Sequence, residues 1–116
     1  FARAQDSVCN SGLWVNQSFA TAYLASSSST INVSANNFTV NADATSTNIT
    51  ANLPTAVGCK GRIYVVRKAD ASGNTVTIDG SGSETINGST TVVLSTQYSF
   101  RMMQSDGANW MVISQL

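Results

Sequence analysis

Apolar residues recur at every second position along most of the chain. Ile31 and Val33 alternate with polar neighbours, as do Phe38 and Val40, and then Ile49, Ala51 and Leu53. A period of two places one set of side chains inward and the other outward on a β-strand. Pro54 ends the third of these runs, because proline cannot donate to a ladder. Arg62 to Lys68 carries Ile63 and Val65 on one face and Tyr64 and Val66 on the other. Both faces are apolar, which predicts a central strand covered on both sides. Val76 and Ile78 continue the alternation, Gly80 and Gly82 break it, and Ile86 marks a short strand before Asn87-Gly88. Val92 to Leu94, Tyr98 to Gln104 and Trp110 to Ser114 complete the series. Asn87-Gly88 and Asp106-Gly107 have the chemistry of tight hairpin turns.

Eight or nine short strands at near-regular spacing predict an all-β fold: an antiparallel β-sandwich or a small jelly-roll-like barrel. No segment has a 3.6-residue period, and no internal repeat stands out. Ahead of the strands, residues 1–12 are turn formers, and residues 13–24 hold scattered apolar side chains. The predicted organisation is an extended N-terminal arm over residues 1–24 and a β-sandwich domain over 25–116. Leu13, Trp14, Val15, Phe19 and Tyr23 lie in the arm, outside the main pattern, and are candidates for contact with another subunit. Ser26 to Ser29 is a polar hinge between arm and domain.

Composition narrows the function. Charged residues make up only 10% of the 116, with six basic and six acidic residues in balance. The surface is therefore expected to be Ser, Thr, Asn, Gln and Gly, suited to packing contacts, including contacts with copies of itself. Lys60, Arg62, Arg67 and Lys68 form the one basic cluster. It is too small for a phosphate backbone, so no nucleic-acid partner is expected. No apolar run reaches the 18 or so residues of a membrane-spanning helix, and no membrane partner is expected. The chain opens on Phe1 rather than Met, which suggests a processed start.

Cys9 and Cys59 are the only cysteines. Bonded, they would close a loop of about 50 residues and constrain the unfolded chain by roughly 4 kcal/mol. The alternative is two free thiols in a reducing cytosol.

Catalytic chemistry has little to work with. The absence of histidine removes the usual general base and most transition-metal sites. Asp6, Asp43, Asp70, Asp79, Glu84 and Asp106 mostly sit beside Gly, Asn or Ser, where turn geometry alone calls for Asp. The stretch from Asp79 to Glu84 lacks the ligand spacing of a calcium loop. No cofactor and no enzymatic activity are expected. Five glycosylation sequons, at Asn16, Asn32, Asn37, Asn48 and Asn87, follow from a composition rich in Asn, Ser and Thr. Trp14, Phe19, Tyr23, Tyr64, Tyr98 and Trp110 serve either the core or a sugar-stacking platform.

From about Asn48 to Ser114 the chain resembles a small β module of tailed-bacteriophage virion proteins, of the head-fibre, capsid-decoration and tail-fibre type. The residues that carry the likeness are Leu53-Pro54, Gly61 to Lys68, Asn74 to Ile78, Glu84 to Gly88, Val93 to Ser95, Tyr98 and Asp106 to Trp110. Residues 1–47 match no such module. The resemblance implies a structural, oligomeric protein, often a trimer, on the surface of a virion. The expected function is a capsid decoration or cement protein that packs with copies of itself and with a major capsid or other virion protein. Two alternatives stand beside it. One is a tail-fibre or receptor-binding module that recognises a host glycan. The other is a subunit of an extracellular filament, joined by strand addition of its arm.

Overall fold

The computed structural model describes residues 15–116, and these form nine strands and no helix. The strands are β1 (Tyr23–Ser26), β2 (Thr30–Asn32), β3 (Thr39–Ala42), β4 (Ile49–Asn52), β5 (Ile63–Lys68), β6 (Val76–Asp79), β7 (Thr91–Leu94), β8 (Phe100–Ser105) and β9 (Trp110–Gln115). They build two sheets. Sheet A has the order β1-β3-β5-β8-β9, and sheet B the order β2-β4-β6-β7.

The chain alternates between the sheets through its first six strands. Each strand then pairs with the next but one, and the pairing is parallel: β1 with β3 and β3 with β5 in sheet A, β2 with β4 and β4 with β6 in sheet B. The result is three stacked rungs, β1–β2, β3–β4 and β5–β6. The antiparallel expectation holds only from β6 onward, where β7 pairs with β6, β8 with β5 and β9 with β8. Both sheets are therefore mixed. Alternation along a strand reports which face is buried and is blind to the direction of the neighbour, so a stack of rungs and a meander share one pattern.

The interior between the sheets is lined by the inward set of each strand: Ile31, Val40, Ala42, Ile49, Ala51, Tyr64, Val66, Val76, Ile78, Leu94, Met103 and Trp110 are buried. Tyr64 and Trp110 pack with ring centroids 5.5 Å apart and planes tilted by 53°. Such a pair adds about 0.5–1.5 kcal/mol to the area it buries. These two aromatics are core residues, not part of a sugar platform.

The turns follow the chemistry of their residues. Asn87 (φ 50°) and Gly88 (φ 87°) both take left-handed backbone, as a type I′ turn demands. Ile86 does not extend into a strand there. It makes isolated bridges to Ser89 and Trp110. Asp106-Gly107 joins β8 to β9 as a hairpin, and Asp106 accepts from the N–H groups of Ala108 and Asn109 at 2.9 and 2.8 Å. Gly80 is required for a different reason, since a Cβ there would lie 2.5 Å from the carbonyl oxygen of Glu84.

Side chains staple one rung to the next at the corners. The Asp70 carboxylate follows β5 and accepts from the N–H of Ala44, at the corner of the rung below, at 2.7 Å. Asn74 Nδ2 donates to the Ala44 carbonyl at 2.8 Å, and Asn48 Oδ1 accepts from the N–H of Thr75 at 2.9 Å. Lys68, the last residue of β5, is fully buried, and its Nζ reaches the Asp70 carboxylate at 2.7 Å and the Asp70 and Ser72 carbonyls at 3.0 and 3.3 Å.

Candidate functional site

The two sheets differ sharply on their outward faces. In sheet B the register aligns Thr30, Thr50, Thr77 and Val93 in one row across the strands, and Asn32, Asn52, Asp79 and Thr91 in the next. Asn52 Nδ2 donates to Asn32 Oδ1 at 3.1 Å, so the rows are partly self-bonded. Such a face is polar except for Val93, which is exposed at the edge strand β7.

Sheet A presents the opposite character. Its outward rows are Ile63, Gln104 and Met111; then Tyr23, Thr39, Val65, Met102 and Ser114; then Ala25, Asn41, Arg67 and Phe100. Ile63, Val65, Phe100 and Met102 are half-buried by their neighbours within the sheet, and Met111 is exposed. None of these rows contains a carboxylate. Its single cation, Arg67, is occupied: NH1 donates to Asn41 Oδ1 at 2.8 Å, and the guanidinium lies 4.6 Å from the centre of the Tyr98 ring. This is a largely apolar sheet face with one positive charge in its marginal row and nothing packed on it among the described residues.

β5 explains why the face is legible. Its inward residues Tyr64, Val66 and Lys68 are buried, while Ile63, Val65 and Arg67 face out. The expectation of a strand covered on both sides is met on one side within the single chain. The second apolar set is left on the surface.

Of the predicted contact residues, Val15, Phe19 and Tyr23 are exposed, at 42%, 70% and 63%. Tyr23 opens β1 and so belongs to the edge of sheet A, where its hydroxyl accepts from Asn41 Nδ2 at 3.1 Å. Leu13, Trp14 and Cys9 lie outside the described residues. Cys59 is half-buried, and its Sγ donates to the Thr55 carbonyl at 3.2 Å.

Four carboxylates bind the protein's own backbone. Glu84 accepts from the N–H of Ala56 at 2.8 Å and from the Thr55 hydroxyl at 2.5 Å. The Thr45 hydroxyl and N–H hold the Asp43 carboxyl below its ordinary range, and the N–H groups of Asn109 and Ala108 do the same for Asp106. At Asp70 burial pushes the carboxyl up, but the Lys68 ammonium, the Ser72 hydroxyl and the N–H groups of Ala44 and Ser72 outweigh it and hold the group well below the carboxylate range. No three His, Cys, Asp or Glu side chains group as metal ligands among the described residues.

No protein-family model matches the chain, and no curated protein matches it either. The reading of its function therefore rests on its residues and their geometry.

Proposed function

We propose that the chain is a non-enzymatic structural module of a bacteriophage particle, and that it works by packing the outer face of sheet A against copies of itself. The observation that carries this reading is the contrast between the two sheet faces. Sheet B turns Thr and Asn to water, while sheet A turns Ile63, Val65, Phe100, Met102 and Met111 outward. Covering that much apolar side chain is favourable by about 25 cal/mol for each Å² removed from water.

A second copy of the chain is the occupant that fits. The rows of Ile63, Gln104 and Met111 and of Val65 and Met102 hold no charge, so two or three copies meet on them around a symmetry axis with the one cation, Arg67, in the row at the margin, hydrogen-bonded to Asn41 and stacked on Tyr98. The resemblance to virion modules supports a trimer. Within the particle, the stacked rungs favour a fibre over a capsid-decoration position. Rungs add along one axis, and among the described residues β1 and β2 leave one edge of each sheet open at the same end of the stack. Imaging of the intact particle tests the placement. Density for this fold on the axis of a fibre is expected, and copies spread over the capsid lattice would return the decoration reading.

A further inference from the structure

Along one border of the sheet A face runs a continuous polar chain between two exposed aromatic rings. Tyr23 on β1 receives a hydrogen bond from Asn41 on β3, Asn41 receives one from Arg67 on β5, and Arg67 lies against Tyr98 in the loop before β8. Two strand intervals, each about 4.8 Å, separate β1 from β5, so the backbones of Tyr23 and Arg67 lie roughly 10 Å apart across the sheet, with Tyr98 beyond Arg67. Tyr98 is 52% exposed and adopts φ 68°. Left-handed backbone at a bulky residue costs on the order of 1–2 kcal/mol and persists where the surroundings over-determine it. They do so here. The N–H of Tyr98 donates to the Lys68 carbonyl at 2.8 Å, and the Lys68 N–H donates to the Ser99 carbonyl at 2.9 Å. The strained loop is thus pinned to the residue whose side chain anchors the buried ion pair.

We propose that Tyr23, Asn41, Arg67 and Tyr98 form a carbohydrate site for an acidic oligosaccharide. The tyrosine rings offer flat apolar surfaces with polar tips, the surface that stacks on the C–H face of a hexose. Asn41 supplies an amide for ring hydroxyls. Arg67 uses NH1 on Asn41 and keeps further N–H donors in a planar fork, which suits a sugar carboxylate. The acidic class is drawn from Arg67, the one charge in the row; the carboxylate of Asp43, exposed two residues beyond Asn41, is taken up by the N–H and hydroxyl of Thr45. The site shares the margin of the self-packing face, with Tyr23 on its edge strand and Asn41 and Arg67 in its outermost row, and is open to a sugar when packing is centred on Ile63, Val65, Met102 and Met111. Arg67 and Asn41 lie two residues along their strands from Val65 and Thr39.

The test uses the full chain on an array holding hexuronate-containing, sialylated and neutral oligosaccharides, followed by NMR titration with the best binder. Binding to acidic members is expected, with shifts at Tyr23, Asn41, Arg67 and Tyr98. Arg67→Gln is expected to weaken it at least tenfold, and so is Tyr98→Gly, which relieves the backbone strain and so keeps the fold. No binding across the array, equal binding of neutral and acidic members, or shifts that map elsewhere would each overturn the assignment. The oligomeric state, measured on the same samples, reports separately on self-packing.

Discussion

Lys68 and Asp70 stand two residues apart and form a 2.7 Å ion pair sealed from solvent at the corner between β5 and β6. Lys68 is 0% exposed. Its ammonium has two backbone carbonyls besides the carboxylate, and the carboxylate in turn accepts from Ala44, Ser72 and Lys68. Every member of the network is partnered, the condition under which a buried charge is tolerated. Asp70→Asn leaves the Lys68 charge buried without its counter-ion and should cost about 3–5 kcal/mol. Urea unfolding monitored by Trp fluorescence measures it.

The same pair sets an acid limit on stability. The folded Asp70 carboxyl lies below its ordinary value of 3.8, so the unfolded chain takes up the proton first. The stability from this group is complete above that value and is lost as pH falls towards the folded one. Denaturation midpoints should hold level from neutral pH to about pH 5 and decline below about pH 4. The decline should be shallower in Asp70→Asn. An identical acid profile in the two proteins would contradict the assignment.

Trp110 is 1% exposed and packs on Tyr64, while its Nε1 is buried without a partner among the described residues. Trp110→Ala should cost about 3–5 kcal/mol through the cavity it leaves. Trp110→Phe should cost far less, because it keeps an aromatic ring and removes an unsatisfied donor worth about 1–3 kcal/mol. Thermal melts of the two variants, followed in the far ultraviolet, separate the terms.

Gly80 meets the backbone of Glu84 so closely that Gly80→Ala must move main chain. Overpacking of this kind costs about 1–3 kcal/mol. The displaced loop carries Glu84, whose carboxylate holds Thr55 and Ala56, so hydrogen exchange at the Ala56 amide should accelerate with it.

Much of this fold could be read from the chain. Alternation located β2 to β9, and Asn87-Gly88 and Asp106-Gly107 marked tight turns; β1 was missed, because Tyr23–Ser26 has one apolar pair and reads as the end of the arm and the start of the Ser26–Ser29 hinge. The parallel rungs were hidden because their spacing drifts. Tyr23 pairs with Thr39, 16 residues on, whereas Thr39 pairs with Val65, 26 residues on, so no fixed period survives in the sequence. Lys68 read as part of a basic cluster, and only the folded corner shows that Asp70 and two carbonyls neutralise and solvate it inside. The apolar outer face of sheet A did leave a trace, in the two apolar faces of β5. Of the row from Tyr23 to Tyr98 only the two tyrosines stood out, among six aromatics divided between core and sugar platform; Asn41 and Arg67 did not, because the row joins four segments whose register the sequence does not display.

The most direct test of the self-packing account is sedimentation of the purified chain beside Val65→Asp and Met102→Asp. These residues are paired across β5 and β8 at the centre of the outer face. The parent should sediment as a trimer, and each variant should shift to monomer with an unchanged far-ultraviolet spectrum, since a carboxylate there meets its own copies without disturbing the interior. A parent that sediments as a monomer, or variants that keep the parent's oligomer, would contradict the account.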